Sequence, residues 1–314
     1  MPLQIVRDDI AKIEADAIVN SANHAPIIGN GVDKAIYSAA GKDALLAARK
    51  ELGVINFGDA KITDAFDLPA KFIIHAVAPI WNGGTSGEVG LLRTCYKNSL
   101  NLACENDCKS VAFPLLATGV NNFPHDVALK VAVNEIQNFL FDHELIVVLA
   151  VFGRNIFDLS KKIFANVAEV VADKFVASAE LKEYSGGLKY LRGVQKLNVP
   201  AKSLGKTFRE QLLALIESRG LKNSAVYRAA NVSAKVFSDI RTNENYRPLK
   251  RTATAFALAL KLPLDDTQIF LASAGYTLSD AIELDAAIID CIRRKIFDLD
   301  AVNDELYAKN LPTF

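Results

Sequence analysis

The chain has 314 residues, 51% hydrophobic and 23% charged, which is enough length and apolar content for two ordinary globular domains. Its 36 basic and 36 acidic side chains cancel, so no overall charge attracts it to a polyanion, and its four cysteines have no paired spacing for a zinc site. We find no signal-peptide pattern and no apolar run of the roughly 18 residues that a membrane span needs, so we expect a cytoplasmic protein. We also expect no bound metal.

The first 175 or so residues alternate short apolar runs with helical patterns. Several of the runs are apolar on both faces, which is typical of a sheet covered by helices on both sides. The alternation predicts an α/β three-layer fold. Strands are predicted at LQIV (3–6), DAIVN (16–20), AKIT (60–63), KFIIHAVA (71–78), SVAFP (110–114) and LIVVLAVF (145–152). Helices are predicted near 33–52, 90–107, 125–142 and 157–175.

The pattern loosens after the α/β region and then becomes entirely helical. We divide the chain into a first domain at 1–177, a linker region at 178–205 that contains SGG and VPAKS, and an all-α domain at 206–314. Helices of this domain are predicted at 207–219, 224–230, 233–241, 249–261, 265–274, 279–295 and 301–308. The segment 206–251 has ten Lys or Arg and four Asp or Glu, whereas 252–314 has five and ten, so charge is segregated along the domain.

Two loops of the first domain have the composition of an anion site. Gly29, Asn30 and Gly31 follow a predicted strand and precede a helix, and all three residue types tolerate positive φ. Such a loop can turn successive N–H groups toward one anion, although the same residues also make a simple tight turn. The loop FPLLATGVNNFP (113–124) has the same strand-to-helix setting. Together the two loops predict a clamp on a diphosphate.

Three ring-bearing side chains allow two interpretations. Phe152 and Phe157 follow the last predicted strand, where an aromatic ring either stacks on a nucleobase or belongs to the core. His75 lies inside a predicted strand, and we interpret it as a hydrogen-bonded core histidine rather than a catalyst.

Five ordered motifs give the region 3–175 a family resemblance. They are DDIAKIEADAIVNSAN, GVDKAIYSAAG, GDAKITDAFDLPAKFIIHAVAP, FPLLATGV and the closing VVLAVF. In this order they resemble the macrodomain, a module that binds ADP-ribose. The resemblance implies a three-layer α/β/α fold with a mixed central sheet, and ADP-ribose or an ADP-ribosylated macromolecule as the ligand, with no cofactor.

The resemblance also assigns residues to parts of the ligand. It implies an adenine end held by Asp9, Ile10, Phe152 and Phe157. The first phosphate loop is formed by Gly29, Asn30, Gly31 and Val32, and the second by Thr118, Gly119, Val120 and Asn121. Asn23 and Asp33 correspond to the catalytic residues at the distal ribose, where a hydrolase positions water for attack on a mono-ADP-ribosyl or O-acetyl ester.

At two places the sequence departs from the hydrolase branch of the family, and these departures leave two alternative functions. The hydrolase branch carries a Gly-rich run before Val-Asp, which Ile28 and Asn30 interrupt here. It also favours an aromatic residue and a glycine where this chain has Asn121 and Asn122. Because the aromatic side chain fixes the pose of the distal ribose, its loss affects catalysis more than binding. The alternatives are an ester hydrolase of deacetylase type and a non-catalytic reader of ADP-ribose.

The second domain has a motif of its own. The segment SAVYRAANVSAKVFSDIRT resembles the helix-turn-helix of repressor-like proteins, with Asn231 at the turn and Tyr227 where a small residue is usual. The resemblance implies that a helix from Ser233 to Arg241 enters DNA. The basic residues expected to contact DNA are Arg228, Lys235, Arg241, Arg247, Lys250 and Arg251. The alternative is a helical domain for protein contact.

Overall fold

The computed structural model describes residues 3–163, 207–243 and 246–314. They form two compact units, an α/β unit within 3–163 and a helical unit within 207–314, to which Leu140–His143 also belong. The predicted linker at 178–205 and the predicted end of the first domain lie outside the described residues. These boundaries therefore stay predictions.

A mixed six-stranded sheet forms the centre of the α/β unit, in the order β1-β6-β5-β2-β4-β3. All neighbouring strands are parallel except β3, which pairs antiparallel with β4. Each predicted apolar run corresponds to one strand, and two of the strands end one residue beyond their runs. The strands are β1 (Leu3–Val6), β2 (Ala17–Ser21), β3 (Ala60–Asp64), β4 (Phe72–Ala76), β5 (Ser110–Pro114) and β6 (Ile146–Ala150).

Helices cover both faces of this sheet. On one face, Ile36, Tyr37 and Leu45 pack with Ile18 and Ile73 in one buried cluster. On the other face, the ring of Tyr96 lies 5.3 Å from that of Phe113. The three-layer prediction is therefore confirmed. The helices are α1 (Val32–Ala40), α2 (Lys42–Glu51), α3 (Glu88–Glu105), α4 (His125–Phe139) and α5 (Arg154–Ile163).

The helix predicted at 33–52 is divided at Gly41. This glycine adopts φ +90°, a conformation that ends α1 and starts α2 at a new angle. A Cβ at this position would lie 3.1 Å from Asp67 Oδ2, and the Asp67 N–H donates to Ala40 O over 3.3 Å, so the turn lies against the segment that contains Asp67. Of the helix predicted at 157–175, the described part ends at Ile163.

The helical unit contains the predicted sequence of helices. Its first helix begins with a capping box between Thr207 and Glu210, which satisfies amides at the helix start. Its core includes Phe208, Phe237, Phe256 and Phe270. The helices are α6 (Phe208–Ser218), α7 (Asn223–Ala229), α8 (Ala234–Thr242), α9 (Lys250–Ala259), α10 (Leu264–Ser273), α11 (Glu283–Arg293) and α12 (Leu299–Tyr307). No helix in the described residues is long and apolar enough to cross a membrane.

Candidate ligand-binding site

The two predicted phosphate loops leave the same edge of the sheet. One follows β2 and the other follows β5, and these strands are parallel, hydrogen-bonded neighbours. The carboxyl ends of parallel strands form one edge, which is where ligands bind in open α/β sheets. The topology therefore brings both loops to one rim of the α/β unit.

The first loop has a row of backbone amides without protein partners. Among the described residues, no acceptor is bonded to the N–H groups of Asn30, Gly31, Val32 and Asp33, the last two of which belong to the first turn of α1. Gly31 has φ +60°, so it turns the chain into the helix. Free amides at a helix start attract an anion through their partial charges.

Asp33 is buried in α1, with 3% of its surface exposed, and each of its carboxylate oxygens accepts a hydrogen bond. Asn20 Nδ2 donates to Oδ1 over 2.7 Å, and the N–H of Gly29 donates to Oδ2 over 2.5 Å. Burial raises the pKa of this carboxyl, against the opposing effects of the Gly29 and Asn20 bonds and of the Arg49 charge. Since each oxygen has a second lone pair, the carboxylate can still accept a bond from water or a hydroxyl.

Asn23 lies beside Asp33, with Gly29 between them. Its Nδ2 donates to the carbonyl oxygen of Ile27 over 3.1 Å. A Cβ on Gly29 would lie 2.6 Å from Asn23 Nδ2 and 3.3 Å from Asp33 Oδ2. The two residues predicted to be catalytic thus converge on one glycine, where only a missing side chain leaves them room.

The second loop also has unbonded amides. In the described part of the chain, the N–H groups of Thr118, Gly119, Val120 and Asn121 donate to no protein acceptor. The loop is fixed from inside, because the Thr118 hydroxyl donates to Leu115 O over 2.9 Å. Val120 lies at the tip with 73% of its surface exposed. The loop thus has a fixed backbone and free donors, as an anion site needs.

The side chain of Asn121 ties this loop to the segment after β4. Its Nδ2 donates to Ala78 O over 2.9 Å, and its own carbonyl oxygen accepts from Trp81 N–H over 2.9 Å. Because the Asn121 side chain is hydrogen-bonded to protein, only its backbone N–H is left for the predicted ligand contact. Asn122 has φ +55°, which asparagine tolerates better than most residues.

The four residues predicted at the adenine end differ in accessibility. Phe152 is the most exposed large apolar residue described, at 82%, whereas Phe157 is buried. The Asp9 side chain is half-buried, accepts a bond from Ala11 N–H over 3.1 Å and lies 3.7 Å from Lys12 Nζ. Ile10 has its side chain in the core, which leaves its backbone for ligand contact. Of the two aromatic rings, only Phe152 is free to stack.

A protein-family model described as Macro domain matches residues 19–132 of the chain. A macro domain-containing protein of Chlorobaculum tepidum is 42% identical over 165 residues, which cover 52% of this chain and 95% of that protein. The chain belongs to the macro domain family. The match lies in the α/β unit, and the family model does not extend into the helical unit.

Two further relatives resemble this macrodomain. A protein of Escherichia coli K12 named O-acetyl-ADP-ribose deacetylase is 44% identical over 146 residues, covering 46% of this chain and 82% of that one. A solved structure of the Oceanobacillus iheyensis macrodomain with ADP superposes with a TM-score of 0.51 at 34% identity. It covers 54% of this chain and 93% of the other. The macrodomain-type fold with its mixed sheet is thereby established.

A buried polar row lies beneath the macrodomain rim, and the sequence interpretation missed most of it. Asn20 Nδ2 lies 3.3 Å from His75 Nδ1, and His75 Nε2 lies 3.0 Å from the Thr63 hydroxyl. Burial and the Arg49 charge lower the pKa of His75 to about 3, so the ring is neutral. The core role predicted for His75 agrees with these contacts. The sequence signal for Asn20 was its type and place: a polar asparagine near the end of an otherwise apolar strand.

Arg49 is the second residue that the sequence interpretation missed. It is 1% exposed, in the last turn of α2 and on the same helix face as the buried Leu45. Its guanidinium donates to the carbonyl oxygens of Asn23, His24 and Gly53. The signal in the sequence is the spacing: Arg49 follows Leu45 by four residues, which places both on the buried face of the helix.

Glu88 organises the loop that Asn121 contacts. Its carboxylate accepts hydrogen bonds from the backbone N–H groups of Asn82, Gly84 and Ser86 over 3.0, 3.2 and 2.6 Å. Three amides on one carboxylate fix the segment 82–86. Within the described residues, no group of three or more His, Cys, Asp or Glu is arranged to hold a metal ion.

In the helical unit, Lys250 departs from its predicted role. It is 6% exposed, and its ammonium lies 2.6 and 2.8 Å from the oxygens of the buried Asp285. A buried, paired ammonium is unavailable to a phosphate, so Lys250 is removed from the predicted DNA contacts. The other predicted cations are exposed at Arg228, Lys235, Arg241 and Arg247 and partly exposed at Arg251.

The turn between α7 and α8 has the backbone form that its motif requires. Asn231 adopts φ +50°, the left-handed conformation expected of the residue in the glycine position. The Tyr227 ring lies 5.4 Å from the Phe237 ring, so the bulky residue packs between the two helices.

Proposed function

We propose that the macrodomain binds ADP-ribose, with the diphosphate on the free amides of the two loops and the adenine against Phe152. The observation that carries this proposal is the pair of amide rows, 30–33 and 118–121, which follow neighbouring strands and have no acceptors in the described part of the chain. The Oceanobacillus iheyensis macrodomain, whose structure contains ADP, supports it. No cofactor is needed for this binding.

We further propose hydrolysis of an ester on the distal ribose, either O-acetyl or mono-ADP-ribosyl. A water oxygen adds to the ester carbonyl carbon, the bond from that carbon to the ribose oxygen breaks, and the ribose oxygen takes up a proton. Asp33 accepts a bond from the water or ribose hydroxyl, and Asn23 orients the sugar. The E. coli relative named O-acetyl-ADP-ribose deacetylase supports this chemistry.

The competing function is a reader that binds ADP-ribose without cleaving it. Its basis is the second loop, where Asn121 and Asn122 replace the aromatic residue and glycine of the hydrolase branch. Without a ring against the distal ribose, the ester is held less firmly in the reactive pose.

Calorimetry followed by turnover separates the two functions. The wild type is titrated with ADP-ribose and then assayed for release of ADP-ribose from a modified carboxylate and from the O-acetyl ester. Asp33→Ala and Asn23→Ala are expected to keep the fold and abolish release. Binding without release from either ester would establish the reader, and absence of binding would overturn both functions.

For the helical unit we propose DNA contact through the exposed cations Lys235, Arg241 and Arg247. The exposed cations and the turn at Asn231 favour it over protein contact. A gel shift on random duplex at low and moderate salt tests it. The affinity is expected to fall steeply with salt and after reversal of Lys235 and Arg241 to glutamate. No shift at low salt would leave the protein-contact alternative.

A further inference from the structure

Arg49 is buried beneath the predicted distal-ribose end and has no carboxylate partner. No ion pair within 4.0 Å joins it to any described residue, although it is 1% exposed. A buried charge without close compensation is costly, so its position needs a reason beyond packing. Two sets of neighbours supply that reason.

The first set of neighbours is the main chain around Asn23. The guanidinium donates to Asn23 O over 2.9 Å, to His24 O over 3.3 Å and to Gly53 O. One planar fork thus joins the loop after β2 to the end of α2. Because Asn23 carries one of the predicted catalytic side chains, the fork fixes the backbone from which that side chain projects.

The second set consists of ionisable groups. The positive charge of Arg49 favours the ionised form of Asp33, which burial disfavours. Two other groups face Asp33, namely Tyr37 from α1 and, across Asn20, His75 from β4. Burial, followed by the Asp33 charge, raises the pKa of Tyr37 to about 12, and His75 is neutral, so Arg49 is the positive charge that acts on this carboxylate at neutral pH.

We propose that Arg49 is a positioning residue for both predicted catalytic side chains: it fixes the backbone of Asn23 and supplies the positive charge that compensates the buried Asp33 carboxylate. This inference rests on the proposed function and extends it. The hydrogen bonds of Arg49 go to Asn23, His24 and Gly53 and not to the amide rows 30–33 and 118–121, so the distal-ribose end is expected to depend on Arg49 more than the diphosphate contacts do.

Three variants separate the two roles of Arg49. Arg49→Met removes both the charge and the fork, whereas Arg49→Lys keeps a charge but cannot span three carbonyl groups. Lys50→Met is the matched control, because Lys50 is the next residue of α2, exposed and of the same charge.

The first measurement compares affinities for ADP and ADP-ribose, which differ by the distal ribose. In Arg49→Met and Arg49→Lys, the ADP affinity is expected to change by less than about twofold, while that for ADP-ribose falls about tenfold. Lys50→Met keeps both affinities. An unchanged ratio of the two affinities in both Arg49 variants would overturn the proposal, whereas a wild type that binds neither ADP nor ADP-ribose would overturn the proposed function itself.

The second measurement needs no ligand. The carboxyl carbon resonance of Asp33 is followed against pH by NMR in the free protein. Its midpoint is expected to rise in Arg49→Met and to stay near the wild-type value in Arg49→Lys and Lys50→Met. A midpoint in Arg49→Met equal to that of the wild type would overturn the electrostatic role. If Arg49→Met fails to fold, Arg49→Lys still tests the fork through the ADP and ADP-ribose comparison.

Discussion

Gly29 lies where Asn23 and Asp33 approach each other, so its missing side chain has a direct consequence for the site. A Cβ at this position would lie 2.6 Å from Asn23 Nδ2, closer than real contacts of this kind. Gly29→Ala is therefore expected to displace Asn23 and to weaken ADP-ribose binding by about tenfold, with a larger loss of turnover. Calorimetry and an ester-release assay measure both effects.

Gly90→Ala provides the control for this substitution. Gly90 lies on the exposed side of α3, its added Cβ meets nothing within 4 Å, and alanine is the better helix former. It is expected to leave binding unchanged and to raise stability by roughly 0.5–1 kcal/mol. Equal binding by Gly29→Ala and Gly90→Ala would show that Asn23 does not need its present position.

His75 gives the macrodomain a dependence of stability on pH. Its folded pKa of about 3 lies below the ordinary value of 6.5, so between these values the unfolded chain binds more protons than the folded one. The contribution is fully present above pH 6.5 and is lost as the pH falls toward 3. His75→Gln is expected to reduce the loss of unfolding free energy between pH 7.5 and 4.5.

Denaturant titration followed by Trp81 fluorescence measures this dependence. Trp81 is the one tryptophan of the sequence and lies in the macrodomain, so its signal reports this unit. His125→Gln, at an exposed position in α4, is the matched control and should retain the wild-type slope. If His75→Gln has that slope too, the buried ring is not the source of the effect.

At the residue level, local chemistry was predictable and long-range contacts were not. The glycines and free amides of the two loops follow from composition, and Asn231 was expected in its left-handed conformation. The contacts of Arg49 with Asn23 and of Asn20 with His75 span 26 and 55 residues. No local pattern encodes such pairs, because the sheet order brings them together.

In the helical unit, one ion pair joins two elements across the core. Lys250 begins α9 and Asp285 lies in α11, and both side chains are buried. Burial raises the pKa of Asp285, against the charge and hydrogen bonds of Lys250 and the N–H of Ser279. Lys250→Met leaves this carboxylate unpaired and is expected to destabilise the unit by about 3–5 kcal/mol in denaturant titration followed by circular dichroism.

A double variant and a surface variant test the same pair. Lys250→Met with Asp285→Leu replaces both charges by apolar groups and is expected to recover most of the stability. Arg294→Met breaks the solvent-exposed pairs with Asp290 and Glu305 and is expected to cost far less than Lys250→Met, because water and salt screen exposed charges. A Lys250→Met cost as small as that of Arg294→Met would contradict the role given to the buried pair.

The elements themselves were predictable where hydrophobic periodicity was continuous. All six strands are found within or beside their apolar runs, since a strand buried on both faces needs such a run. The break at Gly41 was not predicted, because a glycine inside an apolar helical pattern does not reveal whether φ is positive. The family resemblance implied a mixed sheet, but that β3 is its antiparallel strand was not predicted.

At the scale of the whole molecule, ligand binding and stability are linked by mass action. ADP-ribose at 100 times its dissociation constant is expected to raise the free energy of unfolding seen by Trp81 by about 2.7 kcal/mol. Adenosine at the same concentration, lacking phosphates for the free amides, is expected to have a much smaller effect. Equal stabilisation by both ligands would mean that the amide rows do not hold a diphosphate.

The carboxylate of Glu88 limits which backbone amides at the rim can bind an external anion. It occupies the amides of Asn82, Gly84 and Ser86 in the way that an incoming oxyanion would, and Trp81 of the same segment is bonded to the loop that contains Asn121. This bend is already neutralised from within, so a nucleoside triphosphate that extended toward it would meet like charge instead of donors. The amides of Asn82, Gly84 and Ser86 are therefore not available to an external anion, because a side chain of the protein already serves as their resident anion.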